Sequence, residues 1–390
     1  MEHFNVSGLA GKTMIQVVHV IIGLDVGGAE LMLKRLIESQ LERPNIQHQI
    51  ISLTSLGKLG PELQKQGVQI YALGMSSMLK GPVVLFKLRA LLKKLQPDVV
   101  HTWMYHSDLI GGLAAYSLGI RNIIWGIRST DITKGGSKVT LIVRKICALL
   151  SNTIPRKILC AATTSKDVHV EVGYDSNRME VIPNGFDVDK FSDNESAAKT
   201  LRNDLGINQD DNVFISVGRY NPVKDHITFV KAACSLLEVV PNIKFMLVGR
   251  ELTWKNEKIA SVIKDAGKEA SFYLLGERSD VPVCLAAANV YCLHSLTEGF
   301  PNVLGEAMCS GLICITTDVG DAGYLLNRPS LTVKPGCSTA LTEAMLKVAE
   351  LSQDDGLKIS SENKNRIKNN FSMEVISMKY SDLYMDLCKV

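Results

Sequence analysis

Twice along this chain, short apolar β-rich runs alternate with amphipathic helical stretches, and this alternation limits the fold more than any other feature. The first series reads IQVVHVI, AELMLKRLIESQL, QHQIISL, VQIYAL, PVVLFKLRALLKKL and DVVHTW. The second reads NVFISVG, KDHITFVKAACSLLEVV, KFMLVG, SFYLLG, VYCLHS, NVLGEAMCSG and ICITT. Strands separated by helices pair in parallel, because a parallel pair needs a crossover long enough to hold a helix. Between the two series, EVIPNGFDVDKF ends a strand and breaks at Pro183, Asn184 and Gly185, where a domain boundary is expected. A chain of 390 residues also exceeds what one hydrophobic core usually organises. The expected fold class is α/β, with two doubly wound, Rossmann-like parallel-sheet domains facing across a cleft. The first domain is 1–185, the second 186–372, and a closing helix, 373–390, is expected to pack across both. Open sheets of this kind bind ligands beyond the carboxyl ends of their strands, so functional residues are sought in the loops that follow strands.

Composition narrows the class of protein. Hydrophobic residues make up 46% and charged residues 21%, the balance of an ordinary globular chain, with no long polar segment that would stay disordered. The opening MEHFNVSGLAGKTM lacks the basic and apolar regions of a secretory signal, and no run approaches the roughly 20 apolar residues of a membrane span. Nine cysteines, without a C-x-x-C pair, suggest neither a disulfide framework nor a zinc site, and a cytoplasmic location is expected. The net charge of +3 hides an asymmetry: up to Gly185 the chain carries 21 Lys and Arg against 13 Asp and Glu, a balance of +8, and the remainder carries −5. A basic half suits an anionic surface.

Four segments carry groups suited to phosphates and hydroxyls. In LHSLTEGFPNVLGEAMCSG a strand ends, a turn follows and a helix begins near Asn302; Glu298 lies in the turn and Glu306 about one turn into the helix. Amides at a helix start favour phosphate, and carboxylates accept from sugar hydroxyls, although two acids near a helix start also serve as simple caps. In FISVGRYNPVKDH, Arg219 and Lys224 follow a strand and form a cationic clamp for a diphosphate. In GLDVGGAE, Gly27 and Gly28 precede a helix expected from Ala29, letting the backbone approach a phosphate, or forming only a tight turn. In HTWMYHSDLIGGLAA a helix is expected from about Ser107, leaving His106 at the strand's carboxyl end to donate to a hydroxyl, take a proton or serve structurally.

Together EGFPNVLGE, GRYNPVK, the GGAE loop and VIPNGFDVDKF resemble the large retaining glycosyltransferase family 4, whose fold is GT-B, over the span from about Ile15 to the C-terminus. The resemblance implies transfer of a hexose from a nucleotide-sugar, with UDP the expected nucleotide, to a glycan or lipid-linked acceptor in bacterial surface polysaccharide or glycolipid synthesis. It implies that Arg219 and Lys224 hold the donor diphosphate, that Glu306 binds the ribose, and that Glu298 holds sugar hydroxyls. Gly28 would offer its N–H to phosphate and His106 would contact the transferred sugar. The backbone of Phe300, Asn302 and Val303 would line sugar and phosphate, and Arg278 would lie by the nucleobase. Tyr324, in DVGDAGYLL, stands near a place where such enzymes often carry Glu.

The implied mechanism retains anomeric configuration through an oxocarbenium-like transition state and needs neither cofactor nor metal; the Asp187/Asp189 string sits in the linker motif and is assigned no ion. Epimerases and phosphorylases of the same architecture, and a non-catalytic nucleotide-sugar-binding scaffold, are the rival readings. Nucleic acid is not an expected partner. An anionic membrane is one, with peripheral attachment to the inner face of the plasma membrane. In PVVLFKLRALLKKLQP, Val84, Leu85, Leu88, Leu91, Leu92 and Leu95 fall at helical spacing among Lys87, Arg89, Lys93 and Lys94, so these leucines face either lipid or the sheet.

Overall fold

The computed structural model describes residues 14–389 apart from 42, 44, 78, 79 and 131–136. The described residues divide into two compact units, one running up to Gly185 and resuming at Met373, the other Phe186–Ser372. The first unit is built on strands β1 (Ile15–Ile21), β2 (Ile46–Ser52), β3 (Gln69–Ala72), β4 (Val99–Trp103), β5 (Ile123–Ile127), β6 (Lys157–Cys160) and β7 (Met179–Val181). They form one sheet in the order β3-β2-β1-β4-β5-β6-β7, and each described pairing is parallel. The period-2 alternation of a strand divides β1 between two cores. Val18 and Val20 face the helices Gly81–Leu95, Tyr105–Ser117 and Lys138–Leu150, while Val17 and Ile21 face the helix Gly28–Glu38 and the closing helix Met373–Cys388.

The closing helix groups with the first unit, where Met373, Ile376, Tyr380, Leu383, Tyr384 and Leu387 are buried. His19, His48 and His101 sit beneath it, buried among aromatic rings; His101 Nδ1 lies 2.8 Å from the Tyr384 hydroxyl. Among the described residues no helix is long and apolar enough to cross a membrane. On Gly81–Leu95 the sheet takes Val84, Leu88 and Leu92, with Leu85, Leu91 and Leu95 packed beside them. The leucine pattern is therefore core packing, and these leucines are not a lipid-facing stripe.

The second unit repeats the scheme with β8 (Asn212–Val217), β9 (Ile243–Val248), β10 (Phe272–Gly276), β11 (Val290–Leu293), β12 (Ile313–Thr317) and β13 (Thr332–Val333), in the parallel order β10-β9-β8-β11-β12-β13. In both sheets the chain reverses direction once across the first strand of the unit, between β1 and β4 and between β8 and β11. Loops at such a switch point splay apart and leave a crevice at the carboxyl edge.

Candidate functional site

At the second unit's switch point the loops after β8 and β11 are joined directly. Lys224 Nζ lies 2.6 Å from Glu298 Oε1, and the Ser295 hydroxyl donates to the same oxygen at 2.6 Å. The Leu296 amide donates to the Val223 carbonyl at 2.8 Å. Beneath them His294 bridges the Lys224 carbonyl and the Ser216 hydroxyl. A carbonyl can only accept, so His294 Nδ1 carries the proton and Nε2 accepts from Ser216; burial holds this ring neutral by pushing its pKa well below the ordinary value. The Lys224 main chain is thereby fixed from below. Asp225, which follows it, adopts φ 52°, a left-handed conformation in which its carboxylate caps the next helix at the Thr228 amide. Strain of this kind in a non-glycine residue clusters at functional sites.

The Glu298 turn is braced on its other side. The Asp321 amide donates to the Gly299 carbonyl at 2.9 Å, and Gly320, at φ +54°, leaves no room for a Cβ, which would fall 2.4 Å from that same oxygen. The helix Asn302–Cys309 starts just after Pro301, which cannot donate to a preceding turn. Phe300 is buried, while Asn302, Val303 and Glu306 are half-buried along the start of this helix. Arg219 and Arg278 line one hollow of about 320 Å³ with Gly218, Gly249, Arg250 and Glu277, at the carboxyl ends of β8, β9 and β10. Arg278 is held by a two-pronged hydrogen bond to Asp280, Nε to Oδ1 at 2.8 Å and Nη2 to Oδ2 at 2.5 Å; the partner raises the Arg278 pKa and lowers that of Asp280.

Gly28 and His106 occupy the corresponding positions of the first unit. Gly28 is the first residue of the helix Gly28–Glu38, one position earlier than the sequence suggested. His106 is the second residue of Tyr105–Ser117, because the helix begins directly after β4 and not at Ser107. Its start is forced by Met104, whose φ of 72° turns the chain sharply at the end of β4. Burial lowers the His106 pKa, leaving a neutral imidazole at pH 7.

Sequence reasoning missed the residues after β5. Arg128 donates to the Ile182 carbonyl, to Asn184 Oδ1 and to the Tyr380 hydroxyl, and its guanidinium lies 5.0 Å from the centre of the Trp103 ring. Ser129 Oγ and His169 Nε2 both bond the Tyr105 hydroxyl, at 2.7 and 2.8 Å, and His169 Nδ1 lies 2.6 Å from the Ser165 carbonyl. The Ser165 carbonyl makes Nδ1 the donor, so Tyr105 donates to Nε2 and accepts from Ser129. The signal was the R-S-T triplet directly after the apolar run IIWGI.

Tyr324 packs edge-on against Phe371 and gives its carbonyl to Arg366, while its side chain remains exposed. Asp187 accepts from the Lys190 amide at 3.3 Å, a local turn contact. Among the described residues no group of three or more His, Cys, Asp or Glu could hold a metal ion.

The comparisons with known proteins follow this division. Residues 26–190 match the model of Glycosyltransferase Family 4, and residues 197–370 match that of Glycosyl transferases group 1. The Escherichia coli UDP-Gal:alpha-D-GlcNAc-diphosphoundecaprenol alpha-1,3-galactosyltransferase is 28% identical over 317 residues, 80% of this chain and 81% of that protein. The Staphylococcus aureus capsular polysaccharide biosynthesis glycosyltransferase CapH is 25% identical over 78% of this chain and 82% of its own length. The crystal structure of Anabaena Alr3699/HepE in complex with UDP matches with a TM-score of 0.82 at 19% identity, covering 95% of this chain and 100% of that one. That likeness speaks for the fold. With the two halves matched by two glycosyltransferase models, and with the described residues folded around two doubly wound parallel sheets, this protein belongs to the family 4 type of GT-B glycosyltransferases.

Proposed function

We propose that this glycosyltransferase takes a UDP-sugar and passes its hexose, with retention at the anomeric carbon, to a glycan or lipid-linked acceptor in polysaccharide or glycolipid synthesis, without a divalent ion. The observation that carries the reading is the Lys224–Glu298 pair, which plants an oriented cation at the switch point of the second sheet, in the same loop as Arg219. In the reaction the bond from C1 to the β-phosphate oxygen breaks and a new bond forms from C1 to the acceptor oxygen. The acceptor's proton passes to the departing phosphate. Negative charge therefore grows on the diphosphate while positive charge grows on the sugar. Lys224 and Arg219 stabilise the first, as preorganised charges that need no reorganisation as the bond breaks.

Glu298 is already held by Lys224 and Ser295, so it serves as an acceptor for sugar hydroxyls and as the anchor of the lysine, not as a glycosidase-type nucleophile. Glu306 takes the ribose, Phe300, Asn302 and Val303 border the sugar and phosphates with their backbone, and the hollow beside Arg278 takes the base. Gly28 and His106, at the first unit's switch point, meet the phosphate and the transferred sugar. Support for the donor and acceptor classes comes from what similar proteins are named for: UDP-galactose and a diphosphoundecaprenol-linked sugar in the Escherichia coli relative, UDP and UDP-glucose in the Anabaena structures.

The test is turnover with a panel of UDP-hexoses and a polyprenyl-diphosphate-linked monosaccharide, with the product's anomeric coupling read by proton NMR and the assay repeated in EDTA. An α-linked product from an α-linked donor, formed at an unchanged rate in EDTA, is expected. An inverted product, or activity that EDTA abolishes and manganese restores, refutes the corresponding part.

A further inference from the structure

On one side of the first unit's sheet the helices Gly81–Leu95, Tyr105–Ser117 and Lys138–Leu150 pack in succession, their inner faces in a common core. Their outer faces are unusual. On Lys138–Leu150 the side chains of Val139, Ile142, Ile146 and Leu149 fall within one stripe and are exposed, Leu149 by 79% and Ile142 by 57%. On Gly81–Leu95 Phe86 is 70% exposed beside Val83, and on the middle helix Leu113 is exposed. Seven of the 17 large exposed hydrophobics in the described residues thus belong to three neighbouring helices. An outer helix face of a protein meant to be bathed in water is usually polar.

Charge identifies the occupant. Lys87, Arg89, Lys93 and Lys94 are exposed on the first of these helices, and Lys138 and Lys145 on the third. Asp108 is the one acidic residue in all three, and it is fully buried, its Oδ1 bonded to the Thr102 hydroxyl. An exposed surface with aliphatic side chains and cations, and without a carboxylate, complements neither water nor a typical protein patch. It complements a bilayer whose headgroups are anionic and whose interior accepts a shallow apolar wedge. We propose that this three-helix face is the membrane-docking surface of the first unit, with Val83, Phe86, Val139, Ile142, Ile146 and Leu149 entering the headgroup boundary and the six cations holding anionic lipid. The sequence pattern left the leucines of Gly81–Leu95 facing either lipid or the sheet; with those leucines in the core, the proposed lipid contact falls to Val83 and Phe86 on that helix and to the Lys138–Leu150 stripe. The inference rests on the reading of a lipid-linked acceptor for its purpose, since docking would bring the first unit to where such an acceptor lies.

Flotation of the full chain with vesicles of phosphatidylcholine alone, or with about a third phosphatidylglycerol, tests this without turnover. Binding is expected to need the anionic lipid, to fall with added salt, and to drop at least tenfold in the double variant Ile142→Glu/Leu149→Glu. Each of Lys87→Ser, Lys93→Ser and Lys145→Ser should weaken it about fivefold, the effect of one headgroup-bound cation. These positions are exposed, so circular dichroism and transfer to a short-chain soluble acceptor should be unchanged. Wild-type binding by the glutamate variant, or equal binding to neutral and anionic vesicles, overturns the proposal. So does a concentration-dependent dimer in sedimentation that the glutamates abolish while flotation stays intact, because the face would then belong to a second copy. Flotation that follows these rules in a chain unable to glycosylate any lipid-linked acceptor would leave the docking face standing and refute the acceptor.

Discussion

Lys224 and Glu298 act as one group, and their energetics follow from that. Their side chains are partly exposed, so the pair adds at most about 1 kcal/mol to stability. Its value lies in orientation: without Glu298 the lysine loses its aim, and in the proposed reaction the loss of Lys224 would remove a preorganised counter-charge from the departing diphosphate. Lys224→Met is expected to lower kcat by about a hundredfold to a thousandfold, the usual loss when one preorganised electrostatic contact is removed, and Glu298→Gln by somewhat less. The double variant should lose no more than the worse single one, because residues working as a unit are not additive. Steady-state rates and melting temperatures of the four proteins check this; losses that multiply would make the two residues independent. Both residues were legible in the sequence because each follows a strand in a turn rich in Pro, Gly and Asn. Ser295 and His294, which hold them, were not, because nothing in SVG or LHS tells which side chain will turn inward beneath a loop.

Elements show the same division. The helix Asn302–Cys309 was legible from its turn, but its seat was not. Gly305 lies against the Phe186 ring so closely that a Cβ would fall 2.0 Å from Cζ, and Phe186 stacks in turn on Phe300. Gly305→Ala is expected to push this helix outward, lowering the melting temperature by several degrees and weakening UDP binding in calorimetry, while the first unit's far-ultraviolet signature stays. Strands β5 and β6 escaped the pattern because a strand buried on both faces has no alternation to read. The histidines also sit in plain view, one in each of β1, β2 and β4, yet only the register that sets His19 beside His101, and a helix carrying Tyr380 and Tyr384 one turn apart, make them a cluster. Burial pushes the pKa of all three below the ordinary 6.5, that of His48 to about 4, and does the same to His169, His226 and His294. The unfolded chain therefore takes up these protons near pH 6.5 and the folded chain resists them, so stability is full above 6.5 and is lost as pH falls toward 4. Asp108, raised by burial to about 7, has the opposite sign and offsets one histidine across the same window. Urea midpoints are expected to fall steeply between pH 6.5 and 4.5; a flat profile would mean that the imidazoles are hydrated.

At the scale of the molecule, the first unit is discontinuous: its sheet comes from residues before Gly185, but one of its layers is the closing helix, supplied after the whole second unit has been made. The alternating pattern made two sheets legible, and the break at Pro183–Gly185 made one crossing legible; the ownership of the final helix was not, because an amphipathic stripe does not name its partner. The burial does. Ile376, Tyr380, Leu383, Tyr384 and Leu387 all enter the core shared with Val17, Trp103 and Ile124. Each such side chain contributes about 1.5 to 3 kcal/mol when removed from water, so together they match the 5 to 15 kcal/mol that keeps a typical domain folded. His101 would also lose its Tyr384 partner, and Arg128 its Tyr380 hydroxyl. The second unit ties its own ends together: the Phe186 amide donates to the Phe371 carbonyl at 2.9 Å, and Phe186 pairs with Ser372. Ending the chain at Ser372 is therefore expected to abolish one of two calorimetric transitions, to leave residues 186–372 folded, and to preserve UDP binding while transfer is lost. Two intact transitions in the shortened chain would show that the sheet of the first unit closes its core without the helix.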